Sequence, residues 1–246
     1  MRRFLRPILL AALGTLLGGA GGCALDPQAK VAAFGDSVTW GYGGAPGGWV
    51  PDVEHEWGHS IANLGIPGET AQTGRRRISG PFGLFLAPSA KTVLILEGGN
   101  DAIHFLHASP CGKHCRPSLV PQRFENLRGN LEGIRHAAAG HGRKIVFGTY
   151  WPASFAACKT QFTQDEFDNF RAFITRANEI LVDVAAENGD PIVRLDDLLD
   201  LPNDVNNYYD CYHPSGKGYA IIAKRWMQDV DVWAPPMDGT WDDGHE

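Results

Sequence analysis

Ser37 stands in Phe34-Gly35-Asp36-Ser37-Val38-Thr39-Trp40-Gly41, directly behind an apolar stretch that reads as a strand. A serine at the C-terminal end of a strand, leading into a helix, sits where open α/β sheets bind ligands. Its hydroxyl is exposed in such a setting, and the first N–H groups of the helix are free to meet a developing anion. A serine that merely caps a helix fits the same position. Serine is a poor nucleophile until a base takes its proton, and histidine is the side chain best poised near neutral pH. The segment Asp210-Cys211-Tyr212-His213-Pro214 supplies one. With Asp210 and His213 three residues apart on one loop, a carboxylate can orient the imidazole and stabilise its protonated form beneath the serine.

Two glycine-bearing segments lie between these in the chain. In Asn63-Leu64-Gly65-Ile66-Pro67-Gly68-Glu69-Thr70, glycine lets the main chain come close to a substrate and present an N–H unobstructed. In Glu97-Gly98-Gly99-Asn100-Asp101, the Asn100 amide is a neutral donor suited to an oxyanion. Each alone is an ordinary turn. Their order along the chain, between Ser37 and the Asp-x-x-His pair, has few bland explanations.

Two other groupings compete for attention. His55-Glu56-Trp57-Gly58-His59 spells H-E-x-x-H, but that zinc chemistry needs a sustained helix to bring both histidines to one face. Gly58 weakens any helix here, and a strand is expected just after His59. His104, His107, Cys111, His114 and Cys115 also lie close together; in an exported chain the two cysteines read as a disulfide in preference to a metal site. No metal and no cofactor is expected. The elbow G-x-S-x-G of the larger α/β-hydrolase fold is absent, because Thr39 replaces its second glycine.

Short β-branched or apolar runs at 30–34, 60–64, 92–97, 144–150 and 191–195 read as strands. They alternate with helical patterns at 122–139 (Phe124, Leu127, Leu131, Ile134), at 164–187 (Phe167 to Val184) and at 214–230, with Pro214 in the first turn. This rhythm predicts a three-layer α/β/α domain over a parallel sheet. The domain is expected over 28–232, followed by an irregular tail, 233–246, rich in Pro, Asp and Gly.

Taken together, the four segments resemble the blocks of the SGNH hydrolases, the GDSL lipase/esterase family, with Val38 in place of the usual leucine. The resemblance spans residues 34–214. It implies a five-stranded parallel sheet in the order 2-1-3-4-5. It further implies Ser37 as nucleophile, His213 as general base and then acid, and Asp210 as the carboxylate behind it. The oxyanion hole would be the N–H of Ser37, the N–H of Gly68 and the side-chain amide of Asn100. The activity implied is hydrolysis of carboxylic acyl esters through an acyl-enzyme, on short- to medium-chain esters, lysophospholipids or thioesters. Hydrolysis of O-acetyl groups on a polysaccharide or cell-envelope glycan is the alternative. A binding protein on a hydrolase fold is the non-enzymatic reading, and the aromatics Trp40, Tyr42, Trp49, Trp151, Tyr208, Tyr209 and Tyr212 near the site segments suit sugars or an acyl groove equally.

The N-terminus bears on compartment. Arg2, Arg3 and Arg6 precede an apolar run that ends in Gly19-Ala20-Gly21-Gly22-Cys23, the pattern of a signal peptide over 1–22 whose following Cys23 resembles a lipidation site. A membrane-anchored lipoprotein of the bacterial envelope, or a secreted protein, is expected. The formal charge of −6 becomes −9 once those three arginines leave with the leader. Such a surface does not suit nucleic acid, which calls for clustered cations. The one basic run, Arg75-Arg76-Arg77, reads as a solvated face. Cys111, Cys115, Cys158 and Cys211 suggest two disulfides with three possible pairings; the preferred one closes Cys111 with Cys115 and leaves Cys158 for Cys211, which would tie the His213 segment to the loop after Trp151.

Overall fold

A computed structural model describes residues 26–44, 46–80, 87–107, 112–198 and 202–230. The leader, Cys23, Cys111 and the tail from 231 onward lie outside these. The chain runs β1 (Val31–Gly35), α1 (Ser37–Trp40), α2 (Val50–Trp57), β2 (Ile61–Gly65), α3 (Ala71–Ile78), β3 (Thr92–Leu96) and α4 (Gly99–His107). It continues through α5 (Pro121–Ala138), β4 (Lys144–Gly148), α6 (Phe155–Cys158), α7 (Gln164–Asn188), β5 (Ile192–Val193) and α8 (Gly216–Val230). The five strands form one parallel sheet in the order β2-β1-β3-β4-β5.

Strands β1, β2 and β3 are buried along their whole length, as sheets covered on both faces require. Right-handed crossovers put α2 on one face, where α8 joins it, and α3, α5 and α7 side by side on the other. Stacked Trp49 and Trp226 rings, 4.7 Å apart, close the α2–α8 layer. Within the sheet Gly35 lies opposite Gly65 on one side and Leu96 on the other. The C-terminal ends of β1, β2 and β3 are therefore level, and the loops that leave them meet along one edge.

Three expected boundaries move, each for a local reason. Strand β4 stops at Gly148, because the main chain of Tyr150 bonds to the Asn178 side chain on α7, N to Oδ1 at 2.8 Å and Nδ2 to O at 2.7 Å. Strand β5 keeps two residues, because the Thr149 hydroxyl takes over the ladder and accepts from Leu195 N and Asp196 N. The last helix begins at Gly216 and not at Pro214. Residues 208 and 214 form an antiparallel bridge, and Tyr209 N donates to His213 O at 2.9 Å, so the stretch before the helix is a tight hairpin around His213. Helices α2, α3 and α4 are only eight, eight and nine residues long, too short for periodicity to mark them; α3 buries only Ala71, Gly74 and Ile78.

Candidate active site

The hydroxyl of Ser37 lies 2.9 Å from His213 Nε2, and His213 Nδ1 lies 3.0 and 2.9 Å from the two carboxylate oxygens of Asp210. The partners are 176 residues apart in sequence and are joined because β1 and the β5–α8 connection end on the same sheet edge. Asp210 Oδ1 also accepts from the main-chain N–H of Tyr212 and His213. The hairpin thus fixes the carboxylate before the imidazole leans on it. Partial burial works against ionisation of Asp210, but these three hydrogen bonds win and hold its pKa below the ordinary carboxylate range. Nδ1 of His213 is therefore faced by an anion, which directs Nε2 as acceptor toward Ser37.

Ser37 is the first residue of α1, whose cap is Asp36: its Oδ1 accepts from Val38 N at 2.9 Å. The N–H of Ser37 has no acceptor within the helix. Gly68 takes a positive φ of 78°, and a Cβ there would meet nothing within 4 Å. Its glycine serves conformation, turning an N–H outward without strain. Among the described residues no acceptor meets that N–H. Asn100, in the first turn of α4, donates its Nδ2 to Glu69 O at 2.9 Å, with Asp36 Oδ2 at 3.4 Å. The three expected oxyanion donors thus stand on three adjoining loops, and the Asn100 amide is strapped to the Gly68–Glu69 loop.

Several groups in this arrangement are not evident from the four sequence segments alone. Asp36 is buried, accepts from Tyr150 Oη at 2.8 Å, and burial pushes its pKa up to about 6. Asp101 accepts from Ala71 N at 2.7 Å, so it caps the start of α3; burial raises it to about 7. Glu97 is fully buried with neither carboxylate oxygen hydrogen-bonded, and burial together with nearby Asp36, Glu69 and Asp101 pushes its pKa far up. The basic run is a solvated face only in part: Arg75 and Arg76 are exposed, whereas Arg77 grips buried Glu69 through Nε (2.9 and 3.2 Å) and Nη2, with its guanidinium 4.0 Å over the Phe34 ring. Arg75 reaches Gly129 O on α5. A glutamate at the end of the apolar run Thr92-Val93-Leu94-Ile95-Leu96 was the one sequence signal for this buried cluster.

Beside Ser37, His213 and Asn100 lies a hollow of about 250 Å³ with Val38, Ile103, Phe170, Ile174 and Trp151 in its walls. Cys158 and Cys211 are joined, the preferred one of the three pairings, so α6 is tied to the residue next to Asp210. Cys115 is also disulfide-bonded, and its expected partner Cys111 lies outside the described residues. That bond takes Cys115 out of any metal grouping. Helix α2 ends at Trp57 and Gly58 caps it at φ 66°, which leaves His59 outside the helix that carries His55.

The GDSL-like Lipase/Acylhydrolase family model matches residues 33–221. The uncharacterized protein YpmR of Bacillus subtilis (strain 168) is 23% identical over 224 residues, 85% of this chain and 84% of that protein. A lipase/acylhydrolase from Enterococcus faecalis superposes with a TM-score of 0.61 at 20% identity, covering 85% of this chain and 98% of that one. An acetyl xylan esterase, AlAXEase, gives 0.56 at 17% identity, covering 81% and 98%. At these identities the structural likenesses speak for the fold.

Proposed function

The chain belongs to the GDSL-like lipase/acylhydrolase family, and from that membership we propose a serine esterase that cleaves carboxylic acyl esters through an acyl-enzyme on Ser37. The observation that carries it is the hydrogen-bonded line Ser37–His213–Asp210. In this reading Nε2 takes the Ser37 proton as Oγ bonds to the acyl carbon. The carbonyl oxygen, now negative, is met by the N–H groups of Ser37 and Gly68 and by the Asn100 amide. The C–O bond to the alcohol then breaks, His213 returns the proton to the departing oxygen, and water repeats the sequence to free Ser37. In that second half water gives its proton to His213 Nε2 as it bonds to the acyl carbon, and His213 returns it to Ser37 Oγ as the acid departs.

The hollow beside Ser37 supports an acyl group of short to medium length, with thioesters and lysophospholipids as further candidates of the same chemistry. An O-acylated glycan is the second reading, favoured by exposed tyrosines at the His213 side of the site. Export as a lipoprotein, with Cys23 lipidated after removal of 1–22, is proposed from the sequence pattern alone. Mass spectrometry of the mature N-terminus reads it directly: a diacylated Cys23 supports it and an unmodified one overturns it. The test of activity is hydrolysis of p-nitrophenyl esters from acetate to laurate by the wild type and Ser37→Ala. We expect turnover in the first and at least a thousandfold loss in the second. Equal rates would remove Ser37 as nucleophile, and no turnover by either would favour a binding protein.

A further inference from the structure

The hollow beside Ser37 accommodates one side of an ester. At about 250 Å³ it is smaller than the sites that enclose a whole drug-sized ligand, and its apolar walls suit the acyl part. The alcohol part leaves toward the group that protonates it, which is His213 Nε2. Next to the His213 ring, and outside the hollow, stands aromatic surface that is open to water. The Tyr42 ring lies 4.6 Å from the His213 ring, and Tyr209 meets Tyr42 edge-on at 5.9 Å and 83°. Trp40 backs Tyr42 at 6.5 Å. Tyr42 is 41% and Tyr209 61% exposed, and neither lines the acyl hollow.

These rings are held in place. A Cβ on Gly43 would fall 2.6 Å from Tyr209 Cβ and Cγ, and one on Gly44 would fall 2.3 Å from the Tyr219 ring. Tyr219 Oη donates to Tyr42 O at 2.8 Å, and Tyr209 N is fixed by His213 O. The glycine-rich stretch after α1 therefore seats two tyrosines against the catalytic hairpin. Exposed aromatic surface that is rigidly supported beside a reacting centre points to a ligand with an apolar face.

We propose that Tyr42 and Tyr209 form a leaving-group platform for a saccharide, so that the substrate class is an O-acylated glycan. The inference rests on the esterase reading above. A sugar ring offers a C–H face to an aromatic ring, and the corner made by two perpendicular tyrosines provides ring faces for it. The half-buried Asp210 adds an acceptor alongside. A lipid surface calls for a broad apolar face flanked by cations, whereas this chain carries a net charge of −6.

The test compares an O-acetylated disaccharide with ethyl acetate, which shares its acyl group, in the wild type, Tyr42→Ala, Tyr209→Ala and the two Tyr→Phe variants. The quantity read is the ratio of kcat/KM on the two esters, so any change in the common chemistry divides out. We expect the ratio to fall about tenfold in each alanine variant, the loss typical of removing an aromatic contact, and to stay within about threefold in the phenylalanine variants. A ratio unchanged in the alanine variants overturns the platform, as does an equal fall in the phenylalanine variants. So does co-sedimentation with phosphatidylcholine vesicles that is lost in Tyr209→Ala, which would assign the rim to a lipid surface. A wild type inactive on both esters sinks the esterase reading itself; an active wild type with an unchanged ratio sinks only the platform.

Discussion

Asn100 does two things with one amide. Its Nδ2 holds Glu69 O at 2.9 Å, which fixes the loop bearing the Gly68 N–H, and the same group belongs to the expected oxyanion hole. Removing one such donor typically lowers kcat by about 10²–10³. Asn100→Ala should fall at the upper end of that range, because the Gly68 loop loses its strap at the same time. Steady-state kinetics on a p-nitrophenyl ester checks this, and a kcat within tenfold of wild type would remove Asn100 from the hole. Arg77 acts at the same scale but through contacts. It neutralises Glu69, whose side chain is 4% exposed, while keeping some water itself at 22%. Arg77→Met strands that carboxylate in the interior. The expected loss is about 2 kcal/mol, below the 3–5 typical of fully buried pairs because Arg77 is partly hydrated. Urea unfolding measures it, and Arg77→Met with Glu69→Met should recover part of the loss.

The Asp210–His213 hairpin is an element with almost no regular structure of its own, yet it must hold an imidazole 2.9 Å from Ser37. Its stiffness comes from outside: the Cys158–Cys211 bond, the Tyr208 hydroxyl on Pro152 O at 2.6 Å, and Ser215 N on Asn207 O. The disulfide closes a span of 53 residues, for which loop entropy gives a ceiling of about 4 kcal/mol. Cys158→Ser with Cys211→Ser should lower stability toward that figure in urea melts. It should also change kcat more than KM, since the positioning of His213 is lost while the hollow keeps the walls supplied by Val38, Ile103, Phe170 and Ile174; an unchanged kcat would mean that the hydrogen bonds alone suffice. These elements also mark how far the sequence could be read. Ser37, Gly68 and Asn100 were legible because each follows an apolar run, Asp210 and His213 because of their three-residue spacing before the last helix, and the order of all five is informative. The hairpin was not, because Pro214 after His213 looks like a helix start, and only the pairing of 208 with 214 shows otherwise. Helix α3 was hidden for a different reason. Its stability comes from the Thr70–Thr73 capping box and the distant Asp101 carboxylate, and no periodicity records such partners.

On the scale of the whole molecule, the site rests on a buried pool of carboxyl groups. Asp36, Glu69, Glu97 and Asp101 are each at most 6% exposed, and Arg77 is the cation gripping one of them. Burial raises Asp36 to about 6 and Asp101 to about 7, and Glu97 far higher. In the unfolded chain these groups ionise near pH 4. Between about pH 4 and pH 7 the unfolded chain has therefore shed protons that the native protein keeps. Stability must fall as pH rises through that window. Each pH unit of separation is worth about 1.4 kcal/mol, so Asp101 alone sets a ceiling near 4 kcal/mol. Asp210 works in the opposite sense: its lowered pKa gives stability that is present above the ordinary carboxylate range and lost as pH falls below it. The two trends put greatest stability on the acid side of neutral, near pH 5. The urea midpoint should be higher at pH 5 than at pH 8. Asp101→Asn isolates the cause, because its amide oxygen can still accept from Ala71 N while carrying no charge at either pH. The gap in stability between pH 5 and pH 8 should then shrink by about 2–3 kcal/mol, because only the span from pH 5 to about 7 lies inside the window in which native Asp101 keeps its proton. A gap that stays the same would show that Asp101 ionises in the native protein as readily as in water and contributes nothing to the pH response.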